Sequence, residues 1–173
     1  MNKNIFKALI PILIVAFILG ANIVYKVSSK EGTVSLLDDN KYAPAFIKDV
    51  YKAKDTIKCA MYMFKLDTID LNSKEQPIPV MAKALMEAGT RGVNVSIVLA
   101  LGEKDEITTK YNKITAKHLE EAGIKVVFDT VEERLHTKMC MIDNQIIYIG
   151  SHNYTNSAML RNSEVSVRVV SDG

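Results

Sequence analysis

His136, Lys138 and Asp143 stand in the spacing H-x-K-x4-D, and Gly150-Ser151-His152-Asn153 follows a short apolar run as G-S-x-N. The set supplies an imidazole, an ammonium, a hydroxyl and an amide. A neutral imidazole can attack phosphorus and form a covalent intermediate. Its free pKa near neutrality also suits it to act as acid or base. The Lys138 ammonium and the Asn153 amide can hold the non-bridging oxygens of a phosphodiester as charge builds on them. Such a set can attack a phosphodiester without a metal. No metal-ligand spacing occurs anywhere in the chain, so neither metal nor cofactor is expected.

Strands must position these groups. Residues 126–128, 139–142 and 146–149 are apolar and rich in β-branched side chains, which predicts strands. Asp143-Asn144-Gln145 reads as the turn between the last two. With a two-residue loop at Asn144 and Gln145, Asp143 faces Ile146, Lys138 faces Ser151 and His136 faces Asn153. Side chains alternate along a strand, and opposed residues share a face. His136, Lys138, Ser151 and Asn153 therefore converge on one patch. Asp143 has the opposite parity and, with Gly150, is expected to be structural. Of the other two histidines, His152 reads as a flanking residue and His118 as a solvated helix residue. A nucleophile and a separate acid are both needed, yet the motif occurs once. Two copies about a two-fold axis would bring two His136 side chains together.

These residues resemble the phospholipase D superfamily, and within it the small single-motif bacterial nucleases. The resemblance covers roughly residues 31–173. It includes a strand-helix-strand opening (33–37, 42–53, 56–64), the block from Gly150 to Thr155, and Asn162-Ser163-Glu164 before a terminal strand. The family's nucleophile maps to His136, and its phosphate ligands to Lys138 and Asn153. Its late glutamate maps to Glu164, which would fix the tautomer of the histidine as carboxylates do in other histidine sites. Ser151 would be a supporting donor. The resemblance implies metal-free hydrolysis and a homodimer sharing one site. It implies nucleic acid as substrate, with phospholipid, or a non-catalytic binding module, as alternatives. Family members usually run on from the last strand into a helix, whereas this sequence stops at Ser171-Asp172-Gly173. Truncation, one half of a longer two-motif protein, or a sheet covered differently all fit that ending. The stretch 65–79 reads as a long loop that could border the site.

The amino terminus carries a second message. Residues 8–25 hold no charge and are rich in Ile, Leu, Val and Ala, between Lys3 and Lys7 on one side and Lys26 and Lys30 on the other. That length just spans a bilayer. It lacks the short core and small-x-small end of a cleaved signal peptide. The expected organisation is 1–26 as membrane anchor or signal segment, 27–32 as linker and 33–173 as catalytic domain, outside the cytoplasm. The chain carries +2 in all, but residues 1–30 hold four lysines and no acid, so the remainder has 18 basic against 20 acidic side chains. No basic footprint for nucleic acid is visible in that balance. Lys110, Lys113 and Lys117 cluster on one predicted helix.

Strand and helix signals alternate: helices over 42–54, 80–88 and 107–122, strands over 57–64, 93–101 and 124–128. The fold class is α/β, a mixed sheet flanked by helices, parallel at first and antiparallel around the motif hairpin. Cys59 and Cys140 fall in predicted strands and are expected as buried free thiols, or as a disulfide if the domain is exported.

Overall fold

The computed structural model describes residues 32–66, 75–102, 106–130, 132 and 135–171. Val34–Val170 form one compact unit. The elements run β1 (Thr33–Asp38), a 3-10 turn (Asp39–Lys41), α1 (Tyr42–Lys52), β2 (Thr56–Met61), α2 (Pro77–Thr90), β3 (Asn94–Leu99), α3 (Ile107–Glu121), β4 (Lys125–Phe128), β5 (Lys138–Ile142), β6 (Ile146–Gly150), α4 (Asn156–Leu160) and β7 (Val165–Val170). The strands form one seven-stranded sheet in the order β1-β7-β6-β5-β2-β3-β4. β2, β3 and β4 are parallel, while β5 pairs antiparallel with β2 and leads into antiparallel β6 and β7. The expected mixed α/β architecture is the observed one.

Local chemistry sets the helix ends. α2 begins at Pro77, earlier than the expected position 80, because a helix tolerates proline in its first turn. Gly92 and Gly123 have φ of 92° and 80° just beyond α2 and α3, a left-handed conformation that glycine adopts without Cβ strain.

The sheet has two unlike faces. Arg168, Tyr148, Cys140, Cys59, Ile97 and Val126 are successive cross-strand partners on one face. Phe46 and Val50 of α1, Met81 and Leu85 of α2 and Leu119 of α3 join that face in the core. On the other face Val167, Ile149, Met139, Ala60, Val98 and Val127 form a second continuous row of partners. There Ile149 and Val127 are each 45% exposed and Val98 36%.

Cys59 and Cys140 are direct partners on β2 and β5 and are joined as a disulfide. The default of two free thiols is corrected. Their distance depends on a strand pairing across 81 residues of sequence, which spacing cannot supply. Asp49 is buried on α1 and is held by Arg168 Nε at 2.5 Å and Nη2 at 3.1 Å, and by the Tyr148 hydroxyl at 2.5 Å. A buried charge needs such partners, and these tie α1 to β6 and β7. Burial, then Asp49, pushes the Tyr148 phenol well above its ordinary range.

The segment 8–25 and the boundary at 26–32 fall almost wholly outside the described residues. Among the described residues no helix is long and apolar enough to cross a membrane. Most of the stretch 65–79 is likewise outside them, at 67–74.

Candidate active site

The motif hairpin differs from expectation by one residue. Ile142 pairs with Ile146 and Met139 with Ile149, so Asp143, Asn144 and Gln145 make a three-residue loop. Asp143 and Asn144 have φ of 52° and 54°, the left-handed region that Asp and Asn tolerate best among side-chain-bearing residues. Asp143 is fixed from outside the hairpin. Its carboxylate accepts the backbone N–H groups of Lys54, Asp55 and Thr56, each at 2.9 Å. Burial raises its pKa, but those three bonds outweigh it, and the group is held below the usual carboxylate range.

With that register Ser151 and Asn153 do not face Lys138 and His136 as ladder partners. They reach the same place by another route. β6 ends at Gly150, where its backbone lies against β7: a Cβ there would come within 2.4 Å of Ser166 Cα and 2.5 Å of the Val165 carbonyl. Only glycine fits so close an approach. The chain then leaves the sheet. Ser151 N–H donates to the Val165 carbonyl at 2.9 Å, and Tyr154 N–H to the Met63 carbonyl at 2.9 Å. Residues 151–154 thus run from the start of β7 to the segment just after β2, past the start of β5 that carries Lys138.

His136, Lys138, Gly150, Ser151, Asn153, Glu164 and Val165 line one open cleft of ≈ 630 Å³. It sits where β2 and β6 end and β5 and β7 begin. Lys138 is only 8% exposed. Its Nζ donates to the His136 carbonyl at 2.8 Å and lies 3.4 Å from both imidazole nitrogens. Burial lowers the Lys138 pKa, and the Glu164 charge partly opposes that. Glu164 accepts from Ser151 Oγ and, at 3.0 Å, from Asn162 Nδ2. Its backbone N–H donates to Asp39 Oδ1 at 2.9 Å, and its carbonyl accepts from Asp39 N–H at 3.0 Å. The side-chain oxygen of Asn153 is buried with no hydrogen-bond partner, an unpaired acceptor in a residue of the cleft wall.

His152 points away from this set. It is fully buried, stacked on Tyr42 at 4.8 Å, with Nδ1 at 2.8 Å from Ser166 Oγ and Nε2 at 2.9 Å from the Asp39 carbonyl. His118 lies on α3, with Nδ1 at 3.8 Å from Glu121. Lys110, Lys113 and Lys117 are exposed on the same helix. Among the described residues, no three of His, Cys, Asp and Glu are grouped to hold a metal ion.

Tyr62 and Asp39 were not singled out from sequence. Asp39 bridges to Glu164 from across the sheet edge. Tyr62 follows β2 directly, and its ring centroid is 4.6 Å from that of His136. An aromatic at the carboxyl end of a parallel strand, where α/β sites form, was the available signal.

This sheet order and cleft define a phospholipase D-like domain. Residues 46–172 match the family model described as "Cardiolipin synthase, PLD-like domain", and the chain belongs to that family. It is 27% identical over 141 residues to cardiolipin synthase A of Buchnera aphidicola subsp. Acyrthosiphon pisum (strain APS), covering 81% of this chain and 28% of that protein. It is 31% identical over 118 residues to phospholipase D of Rickettsia bellii (strain RML369-C), covering 68% of this chain and 52% of that one. The chain therefore spans only about a quarter to a half of these relatives. The solved structure of Nuc, a phospholipase D family member from Salmonella typhimurium, superposes with a TM-score of 0.66 at 24% identity, over 82% of this chain and 84% of that one. NucT from Helicobacter pylori gives 0.63 at 22% identity, over 82% and 87%. At those identities the likeness is one of fold.

Proposed function

We propose that the chain is a metal-independent phosphodiesterase, acting on nucleic acid as an endonuclease. The observation that carries this reading is the convergence of His136, Lys138, Ser151, Asn153 and Glu164 on one cleft. A nitrogen of His136 attacks phosphorus, and the P–O bond to the leaving oxygen breaks. The His136 of a second subunit gives that oxygen its proton. Water then attacks the phosphohistidine, loses its proton to the second histidine and frees the first. Lys138 and Asn153 of both subunits hold the non-bridging oxygens, and Glu164 steadies the site through Ser151 and its charge near Lys138. A homodimer is part of the proposal, because one motif supplies one histidine.

Phospholipid is the second reading. The names of the relatives, cardiolipin synthase A and phospholipase D, favour it, as does the apolar segment 8–25. That segment, read as an anchor, and the disulfide support placement outside the reducing cytoplasm, where disulfides persist.

The test is cleavage of single- and double-stranded DNA, and of anionic phospholipid vesicles, by the full chain in excess chelator beside His136→Ala. DNA cutting that survives chelation and drops by at least ~10³-fold in the variant supports the reading, since loss of a nucleophile typically costs that much or more. Head-group release without DNA cutting selects the phospholipid. Full activity in His136→Ala overturns both.

A further inference from the structure

Tyr62 is anchored at three points. Its backbone N–H donates to the Thr137 carbonyl at 2.8 Å, between the two motif residues. Its carbonyl accepts from Asn112 Nδ2 at 2.9 Å, and its hydroxyl accepts from Thr108 Oγ1 at 3.3 Å. Asn112 and Thr108 are buried polar residues of α3, and Asn112 also bonds the Ala100 carbonyl and the Phe64 N–H, each at 2.9 Å. α3 thereby clamps the segment that leaves β2. The clamped ring meets both motif side chains: its centroid is 4.6 Å from that of His136, tilted by 53°, and 4.9 Å from Lys138 Nζ.

We infer that Tyr62 is a positioning residue, whose ring, locked by α3, holds the His136 imidazole and the Lys138 ammonium in register with each other. This rests on the proposed roles of those two residues. The physical case is simple. His136 precedes β5 and Lys138 begins it, so no complete ladder fixes their side chains. A rigid aromatic wall restricts the imidazole, and its face attracts the ammonium. A misplacement of a reacting group by about 1 Å can cost ~10²-fold in rate.

The experiment compares the full chain with Tyr62→Phe and Tyr62→Leu on a phosphodiester substrate in chelator, with fold checked by circular dichroism. Tyr62→Phe keeps the ring and both backbone anchors, loses the 3.3 Å bond from Thr108, and is expected to stay within about threefold of the parent. Tyr62→Leu is expected to lose about 10- to 100-fold in kcat, as for other displaced catalytic groups, with KM changed much less. The placement of His136 is followed by its imidazole 15N signals in all three proteins. Those signals shift and broaden in Tyr62→Leu alone if the ring positions the histidine, and this readout stands even if no phosphodiester is cut. A raised KM with unchanged kcat would make Tyr62 a substrate contact and overturn the inference. So would unchanged kcat and imidazole signals in folded Tyr62→Leu.

Discussion

Lys138 is an ammonium held where water barely reaches it. Burial works against its charge and Glu164 works for it. Removing the Glu164 charge while keeping its shape should therefore depress the Lys138 pKa further. Glu164→Gln is expected to reduce the optimum rate about 10-fold, as loss of an outer hydrogen-bond partner typically does, and to lower the Lys138 pKa. Initial rates check the first, and an NMR titration of the Lys138 side chain checks the second. At this scale the sequence already pointed to residues that line the cleft, through a histidine and a lysine two apart, a G-S-x-N block behind them and, by resemblance, Glu164. The supporting contacts were not. Tyr62 precedes His136 by 74 positions in the sequence, and Asp39 meets Glu164 across 125. Neither pairing leaves a local pattern.

Among elements, the hairpin turn is where sequence reading slipped by one. The strands were plain from their apolar runs. Their register was not, because the loop conformation rests on Asp143 accepting three N–H groups at the start of β2, up to 89 residues away. Asp143→Asn replaces one acceptor oxygen by a donor. It should cost about 1 kcal/mol, the net worth of a typical hydrogen bond, because the Lys54 and Asp55 N–H groups are exposed and water can take over from the lost acceptor. The sign with pH follows from the lowered folded pKa. The stabilisation is complete above the ordinary carboxylate pKa and is lost as pH falls through the folded value. Urea unfolding of parent and variant should therefore differ most near neutrality and converge in acid. The cleft survives the register shift because Gly150 ends β6 and lets the chain turn across the mouth of the sheet.

For the whole molecule, the α/β class and the change from parallel to antiparallel pairing were readable from the alternation of periods, and the disulfide was not. Cys59–Cys140 closes a loop of 81 residues at the middle of the core face. By the chain-entropy relation, that cross-link stabilises by about 4–5 kcal/mol. Thermal melts with and without a phosphine reductant, under conditions where reduction is confirmed by mass, should show the reduced form melting clearly lower. An unchanged melting temperature would mean the sheet holds without it.

The second row of the sheet, from Val167 through Ile149 and Met139 to Val127, has a practical corollary. An environment-sensitive dye, which experimenters take as a sign of a loosened interior, will find a hydrophobic landing strip on the intact fold. Brightness in such an assay, or stickiness on a column, is then no sign of misfolding in this chain.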